Sequence, residues 1–360
     1  MEIMKIKVKP LREDKRKTKP TDESKLGFGK IFTDHMFTLK YTTDKGWHDA
    51  TIGPYTPLKL DPTAMCLHYA QEIFEGMKVY RGKDGAIYLF RPKENIKRMN
   101  VSARRLCMPE LDEELFLEAV KRLVLLDKDW IPKGQGTAAY IRPTMIATEA
   151  ALGVHPANAY LFFIIMSPVG AYYAEGFGPT KIYVSEEYVR SAPGGTGFTK
   201  AGGNYAASLY ASRIAQEMGY TQVLWLDAVE RRYVEEVGTS NIFFLIGDEL
   251  LTPPLEGTIL PGVTRDSVIR MARSWNMKVS ERRLSMDEIL DAHREGRLKE
   301  SFASGTAAVV SPIGRFFYRG EVFVINGGKT GPVSERLYNE ILQIQYGEKD
   351  DPFGWRMKIS

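Results

Sequence analysis

Apolar residues recur along the chain at two different spacings, which predicts a mixture of helices and strands. After Pro92, the residues Ile96, Met99 and Leu106 lie near helical spacing, and Pro92 itself suits the first turn of a helix. The apolar run from Ala159 to Met166 has the length of a buried strand. The predicted helices cover residues 92–106, 112–126, 264–275, 286–295 and 332–346, with another that begins near 206. The predicted strands cover residues 28–39, 77–80, 86–90, 137–148, 159–168, 181–185, 222–227, 232–237, 241–245 and 322–325.

The composition changes between residues 167 and 197, where Gly and Pro are frequent and no helical period continues. Such a stretch is typical of a domain boundary. We therefore expect a basic N-terminal arm over 1–27, a smaller α/β domain over 28–178, an interdomain region over 179–190 and a larger α/β domain over 191–360. The expected fold class is mixed α/β, since both halves combine helices with strands.

Charge and composition exclude several classes of protein. The first 20 residues hold six Lys and two Arg against three acids, but they lack the interleaved aromatic residues typical of nucleic-acid binding, so we expect a solvated arm. The longest apolar run is too short to cross a bilayer. Cys66 and Cys107 form neither a disulfide framework nor a metal-ligand cluster. We expect a cytoplasmic protein with no metal, no nucleic-acid partner and no membrane partner.

The stretch from Arg190 to Gly219 contains a glycine-rich loop, a lysine and the start of a helix. Six of the eleven residues from 194 to 204 are Gly or Ala, which allows a close approach of the backbone to a ligand. The loop does not match a phosphate P-loop, because Ala201 follows Lys200, and it does not match the dinucleotide-binding fingerprint. From the loop alone, Lys200 is either a surface lysine or a nucleophile for a carbonyl group. The helix after it is expected to bury Leu209, Ile214 and Met218.

Two further segments are candidates for a site. In the alternating run around Glu235 and Glu236, the two carboxylates point to opposite faces, so only one of them is expected to face a buried site. Taken alone, Glu236 is either a solvated hairpin residue or the buried acid. The segment Leu260-Pro-Gly-Val-Thr-Arg265 leads from a turn into a helix, which is either an ordinary capped helix or an anion site at the helix N-terminus.

These segments resemble those of the branched-chain amino acid aminotransferases, which are pyridoxal-phosphate enzymes of fold type IV. The matching motifs are Lys200-Ala-Gly-Gly-Asn-Tyr205, Glu236-Val-Gly-Thr-Ser-Asn-Ile-Phe243, Leu260-Pro-Gly-Val-Thr-Arg265 and Ser304-Gly-Thr306. The resemblance runs from about Phe28 to Tyr338, with the motifs in the family's order. It implies a homodimer of two-domain subunits, with the cofactor pyridoxal 5'-phosphate at the domain interface.

The resemblance also implies a role for particular residues. Lys200 would form the Schiff base and move the substrate's α-proton, Glu236 would pair with the pyridine nitrogen, and Tyr205 would contact the ring oxygen. The phosphate would be bound by Arg98, Val263, Thr264 and Thr306. The substrate would contact Phe28, Tyr69, Phe74, Tyr140, Arg142, Leu152, Val154, Thr306 and Ala307, with Tyr69, Leu152 and Val154 serving the site of the neighbouring subunit.

The reaction implied is reversible amino transfer between leucine, isoleucine or valine and 2-oxoglutarate. A D-amino acid aminotransferase and an aminodeoxychorismate lyase share the fold and remain alternatives, although Phe74-Glu-Gly76 and Tyr140-Ile-Arg142 favour the branched-chain enzymes. A binding protein that kept only the fold would be expected to lose Lys200 or Glu236, and both are present. Animal members carry two cysteines where this chain has Ala308 and Ser311, so a thiol control of that kind is not expected.

Overall fold

The computed structural model describes residues 4–170 and 177–360. The undescribed residues 171–176 fall within the stretch where the sequence predicts a domain boundary. Contacts between Cα atoms divide the chain into two compact units. Unit 1 comprises Met1–Ala174, Thr199–Gly202 and Gln343–Ser360, and unit 2 comprises Glu175–Phe198 and Gly203–Leu342. The four residues around Lys200 therefore belong with unit 1, although unit 2 flanks them in sequence.

Both units combine helices with strands. The α-helices of the described ranges are α1 (Met65–Tyr69), α2 (Pro92–Arg105), α3 (Glu113–Leu126), α4 (Gly202–Ala206), α5 (Leu209–Glu217), α6 (Val263–Ser274), α7 (Met286–Arg294) and α8 (Pro332–Tyr346). The strands are β1 (Lys7–Val8), β2 (His35–Thr42), β3 (Gly46–Pro54), β4 (Glu72–Phe74), β5 (Met77–Arg81), β6 (Ile87–Phe90), β7 (Ala138–Ala147), β8 (Ala159–Val169), β9 (Thr180–Ser185), β10 (Gln222–Leu226), β11 (Val234–Val237), β12 (Ser240–Ile246), β13 (Glu249–Thr252), β14 (Lys278–Glu281), β15 (Leu298–Gly305), β16 (Val309–Tyr318), β17 (Glu321–Val324) and β18 (Arg356–Lys358). No helix in these ranges is long and apolar enough to span a membrane.

Unit 1 is built on a sheet with the strand order β1-β3-β2-β8-β7-β5-β6-β18, and β4 adds to β7. The parallel pairing of β1 with β3 contrasts with the antiparallel pairing of the long central strands β7 and β8. Helices α2 and α3 bury their apolar sides in the same core as this sheet, as the sequence predicts. Asp112 caps α3, since its carboxylate accepts the Leu115 N–H at 2.7 Å.

Unit 2 is built on a second sheet with the order β11-β10-β9-β16-β15-β12-β13-β14, and β17 pairs with β16. Strand β11 pairs with β12 as well as with β10, so six strands form a closed ring. Closure brings the hairpin of β11 and β12 beside β15, where Asn241 pairs with Ser304. Two of the motifs singled out in the sequence, those of Glu236 and of Ser304, lie on these strands or directly after them.

Three expectations from the sequence are wrong in detail. The strand predicted over 28–39 begins only at His35. Helix α5 leaves Leu209 and Met218 exposed, at 68% and 46% of their surface, and buries Ala211 and Ala215 against Val223 and Trp225 instead. The small alanine side chains allow the helix to pack closely, whereas periodicity favours the larger residues. The N-terminal arm is also not wholly solvated, because Ile6 and Leu26 are buried.

Candidate active site

The backbone of Lys200 forms two hydrogen bonds within unit 1, one through its N–H and one through its carbonyl. Its backbone N–H donates to the Ser102 hydroxyl at 3.0 Å, and its carbonyl accepts the Phe74 N–H at 3.1 Å. Ala201, the next residue, forms an antiparallel bridge with Ile73 of β4. The lysine loop is therefore attached to α2 and to β4, which fixes the direction of its side chain.

The amine of Lys200 lies 4.5 Å from the centre of the Phe74 ring. The pKa of Lys200 is lowered to about 8, chiefly by burial. The positive charges of Arg98 and Arg142 also act to lower it, whereas Tyr140 and Glu75 act to raise it. An amine with such a pKa is partly unprotonated near neutral pH, and only the unprotonated form attacks a carbonyl group. These contacts favour the nucleophile over the surface lysine.

Aromatic residues and an arginine lie together near this amine. The Arg142 guanidinium lies 4.6 Å from the centre of the Phe74 ring and donates to the Tyr140 hydroxyl at 3.3 Å. The Phe28 ring meets Tyr140 edge-on at 4.9 Å between centroids. Unit 1 thus brings four of the predicted substrate residues together, with an apolar surface and a positive charge in the same place.

Arg98 projects from α2 and forms a buried ion pair with Glu75, whose role the sequence did not predict. The Arg98 Nε and Nη2 atoms donate to the two carboxylate oxygens at 2.7 and 2.9 Å. Asn95, one turn earlier on α2, donates to the same carboxylate at 2.9 Å. Burial acts to raise the pKa of Glu75, but the Arg98 guanidinium outweighs it and lowers that pKa, so this carboxylate stays charged. The sequence offered a signal, since Glu75 stands in the Phe74-Glu-Gly76 motif.

In unit 2, Glu236 is buried on β11 and is held by two partners. Arg190 lies 2.6 Å from one carboxylate oxygen, and the Asn241 amide donates to the other at 3.0 Å. Glu235 is buried too, although alternation along a strand did not indicate what would cover its face. The two side chains have different surroundings, because Glu235 accepts from Ser191 at 3.4 Å and burial raises its pKa.

Tyr205 lies close to Glu236. Both residues line a small pocket of unit 2, together with Arg190, Asn204, Ser208, Gly238, Thr239 and Leu260. Asn204, the residue before Tyr205, is tied back to the loop because its amide donates to the Thr196 carbonyl at 2.9 Å. A phenol and a buried carboxylate therefore face the same pocket, as the motifs suggested.

The anion-site candidate at the start of α6 is connected to Glu236 through Asn241. The same Asn241 amide nitrogen that donates to Glu236 also donates to the Leu260 carbonyl at 3.0 Å. A Cβ on Gly262 would lie 2.0 Å from the Asn241 side-chain oxygen, so this close approach requires glycine. Val263 and Thr264 form the first turn of α6, where the partial positive charge of a helix N-terminus suits an anion. Thr306 and Ala307 are half-buried and follow β15 directly.

The remaining substrate candidates lie on the surface of unit 1. Tyr69 is 38% exposed, Leu152 is 60% exposed and Val154 is 82% exposed. The Tyr69 hydroxyl donates to the Leu152 carbonyl, so at least these two residues are neighbours. Their exposure contrasts with the half-buried Phe74. Within the described residues, no group of three or more His, Cys, Asp or Glu side chains could hold a metal ion.

Comparison with known proteins identifies the class. Residues 72–316 match the class IV amino-transferase family, which covers well over half of the chain, and the chain belongs to that family. Its relatives carry a more particular name. Branched-chain-amino-acid aminotransferase 2 of Bacillus subtilis (strain 168) is 51% identical over 345 residues, which span 96% of this chain and 95% of the relative.

Solved structures of similar fold carry the same name. The branched-chain amino acid aminotransferase of Escherichia coli is similar with a TM-score of 0.76 and 27% identity, over 91% of this chain and 99% of the other. The T.th. branched-chain amino acid aminotransferase, solved with pyridoxamine 5'-phosphate, is similar with a TM-score of 0.74 and 29% identity, over 89% of this chain and 98% of the other. The mixed α/β fold of type IV is thereby confirmed.

Proposed function

We propose that the protein is a branched-chain amino acid aminotransferase that uses pyridoxal 5'-phosphate. The observation that carries this proposal is the half-buried Lys200, whose amine lies 4.5 Å from the Phe74 ring, in a chain that belongs to the class IV amino-transferases and is about half identical to branched-chain enzymes. The donors are leucine, isoleucine and valine, and the acceptor is 2-oxoglutarate.

The described residues fit the cofactor. When bound, pyridoxal phosphate supplies an aldehyde that reacts with amines and a protonated ring that accepts electrons. Lys200 provides the amine, and its pKa of about 8 keeps part of it unprotonated. Glu236 is the carboxylate that keeps the pyridine nitrogen protonated, and Arg190 and Asn241 hold it in place. Tyr205, which lines the same pocket as Glu236, would contact the ring oxygen of the cofactor.

The phosphate group needs fixed positive charge and N–H donors. Arg98 supplies the charge, and Val263 and Thr264 supply the first turn of a helix. Thr306 adds a hydroxyl from the turn that follows β15. Charge-assisted hydrogen bonds of this kind are stronger than neutral ones, so these residues are suited to hold the phosphate group.

The substrate residues suit two different side chains. Phe28, Phe74 and Tyr140 provide the apolar surface that leucine needs, and Arg142 provides the charge that the distal carboxylate of 2-oxoglutarate needs. Lys200 removes the α-proton of the donor and later returns a proton, because an amine with a lowered pKa can act both as base and as acid near neutral pH.

We also propose a cytoplasmic homodimer. Leu67, Tyr69, Leu152 and Val154 expose large apolar surfaces on unit 1, at 60%, 38%, 60% and 82%. Exposed apolar residues in one region are typical of a protein interface. Cys66 and Cys107 are both free thiols, in keeping with a reducing compartment.

The substrate assignment is tested with separate half-reactions. L-leucine and 2-oxoglutarate should form a good pair, whereas D-alanine should be a poor donor and aminodeoxychorismate should not be cleaved. Arg142→Leu should slow the 2-oxoglutarate half-reaction by at least about ten-fold and the leucine half-reaction much less, since leucine has no distal charge. Equal losses in both half-reactions would show that Arg142 is structural. Efficient use of D-alanine would favour the D-amino acid enzyme.

A further inference from the structure

Glu75 is a completely buried carboxylate in the turn between β4 and β5. Its carboxylate receives four hydrogen bonds. Arg98 donates two, the Asn95 amide donates one at 2.9 Å and the Gly76 N–H donates one at 3.0 Å. The backbone of Glu75 is held as well, because its N–H donates to the Pro143 carbonyl at 2.8 Å. The carboxylate therefore has a single well-defined position.

That position defines the orientation of Arg98. A guanidinium is planar, and two parallel bonds to a carboxylate fix both its plane and its rotation. The bonds use the Nε and Nη2 atoms, so the same edge of the guanidinium is always turned toward Glu75. Asn95 and Arg98 lie three residues apart on α2, and both contact the same carboxylate, which connects the helix face to the turn.

Glu75 also balances charge near Lys200. Arg98 and Arg142 both disfavour a positive charge on the Lys200 amine, and Glu75 favours it. Without Glu75, Arg98 would lose the two charge-assisted bonds that it donates to this buried carboxylate. Loss of one partner of a buried ion pair is far more disruptive than loss of an exposed one.

We propose that Glu75 is a positioning residue for cofactor binding, which fixes the Arg98 guanidinium so that Arg98 receives the phosphate group in one orientation. The inference rests on the proposed function, because it takes Arg98 to be the phosphate ligand. It goes beyond that function because Glu75 would contribute to phosphate binding through Arg98, without touching the phosphate itself.

The test compares two ligands that differ only in the phosphate. The full-length protein, freed of cofactor, is titrated with pyridoxal 5'-phosphate and with pyridoxal, and the ratio of the two affinities is measured. Glu75→Gln keeps the shape of the side chain and removes its charge, so the ratio should fall by about ten-fold or more through weaker binding of the phosphorylated ligand. Glu75→Asp keeps the charge but shortens the side chain, and the ratio should also fall. A purely structural role would weaken both ligands equally.

The controls separate this inference from the proposed function. Arg98→Gln should lower the ratio as Glu75→Gln does, and Glu94→Gln, on the same helix but partly exposed, should leave it unchanged. A lower ratio in Arg98→Gln with a normal ratio in folded Glu75→Gln would overturn the role of Glu75 and leave that of Arg98 intact. A normal ratio in Arg98→Gln would remove the phosphate role of Arg98, and the inference with it. If Glu75→Gln does not fold, Glu75→Asp decides, and a normal ratio there overturns the proposal.

A second measurement tests the negative charge of Glu75 rather than the orientation of the Arg98 guanidinium. The pH midpoint of the visible absorbance of the bound cofactor reports the proton near Lys200. Removal of a negative charge disfavours that proton, so Glu75→Gln should shift the midpoint to lower pH. Glu75→Asp keeps the charge and should leave the midpoint close to that of the unchanged protein. The same shift in both variants would contradict the assignment.

Discussion

Gly76 shows how a single residue decides the geometry around Tyr140. A Cβ at this position would lie 1.9 Å from the Tyr140 hydroxyl oxygen, which no packed structure tolerates. Tyr140 also meets the Phe28 ring edge-on and accepts from Arg142, so its position affects the whole group. The glycine of the Phe74-Glu-Gly76 motif is therefore needed for space rather than for an unusual backbone angle.

Gly76→Ala should displace Tyr140 and lower activity by about 100-fold, because a shift of about 1 Å in a substrate-positioning residue has that effect. The free energy of unfolding should fall by about 1–3 kcal/mol from overpacking. Steady-state rates with L-leucine and chemical denaturation measure the two effects. Gly53→Ala, whose Cβ would meet its nearest atom at an ordinary 3.9 Å, is the matched control and should change neither.

The neighbouring acids Glu235 and Glu236 give a second residue-scale prediction. The Glu236→Gln variant should still bind the cofactor, but its turnover should be slower by about 100-fold or more. The substitution removes the negative charge that is proposed to keep the pyridine nitrogen protonated. Glu235→Gln should have little effect on turnover, because the Glu235 carboxylate accepts from Ser191, whereas Glu236 is the one that lines the pocket with Tyr205. The measurement is the turnover rate and the cofactor content of both purified variants. A similar loss of turnover in Glu235→Gln and Glu236→Gln would contradict a specific role for Glu236.

Local motifs predicted where the chemistry-bearing residues stand, but not which charges pair. Arg98 and Glu75 lie 23 residues apart, and Arg190 and Glu236 lie on different elements, so their contacts depend on the folded chain. A lone Glu in a sequence is usually a solvated residue. The burial of Glu235 was also missed. Alternation along a strand shows that the two carboxylates point to opposite faces, but it does not show what covers the second face.

At the scale of elements, the helices with a clear capping signal were predicted well. The bounds of α8 are those expected, and α2, α3, α6 and α7 begin or end within a residue or two of expectation. The stretch before β2 was predicted less well, because the positive φ angles of Gly27 and Gly29 interrupt the extended backbone there. Several strands were not predicted, among them the long strands β3 and β16 as well as β1 and β18. Strands of two or three residues, such as β1 and β18, carry almost no periodic pattern.

The N-terminal arm is an element with a definite attachment. The Glu23 carboxylate accepts the Lys133 N–H at 3.0 Å and the Gly134 N–H at 2.7 Å. The Gly27 carbonyl then accepts the Gly170 N–H at 3.0 Å, and the next residue is Phe28, whose ring contacts Tyr140. This segment therefore holds the Phe28 ring against Tyr140 from outside the central sheet.

Glu23→Ala should loosen that attachment. We expect the KM for L-leucine to rise by about three- to ten-fold with a smaller change in kcat, because charged hydrogen bonds of this kind contribute about 1.5–3 kcal/mol and only part of that reaches Phe28. Glu13→Ala, an exposed acid of the same arm, is the control. An unchanged KM in Glu23→Ala would show that Phe28 is held without the arm.

At the scale of the whole molecule, the residues proposed for the chemistry are divided between the two units. Unit 1 contains Lys200, Arg98 and the aromatic residues, and unit 2 contains Glu236, Tyr205 and the start of α6. The exposed residues Leu67, Tyr69, Leu152 and Val154 add a surface that suits a second copy of the chain. Mixed α/β composition was predictable from periodicity, whereas the closed ring of strands in unit 2 was not, because register and closure are set by contacts distant in sequence.

The shared site of the proposed dimer is tested by mixing two inactive variants. Lys200→Ala and Tyr69→Ala are each expected to have little activity alone. Refolded together, about half the dimers should be mixed, and about a quarter of all sites should then hold both native residues, by counting over a symmetric dimer. Native mass spectrometry confirms that mixed dimers are present. A mixture no more active than the two separate variants would contradict the shared site. It would mean either that Tyr69 and Lys200 serve the same subunit's site or that Tyr69 belongs to no active site.

The most direct test of the proposed function is the visible spectrum of the purified protein, followed through the two half-reactions one after the other. We expect absorbance from pyridoxal 5'-phosphate bound to Lys200, loss of that absorbance on addition of L-leucine with release of one equivalent of the 2-oxo acid, and its return on addition of 2-oxoglutarate. Lys200→Ala should bind the cofactor without becoming linked to it when borohydride is added. A protein whose absorbance does not respond to L-leucine, or whose borohydride label lies on a different lysine, would contradict the account.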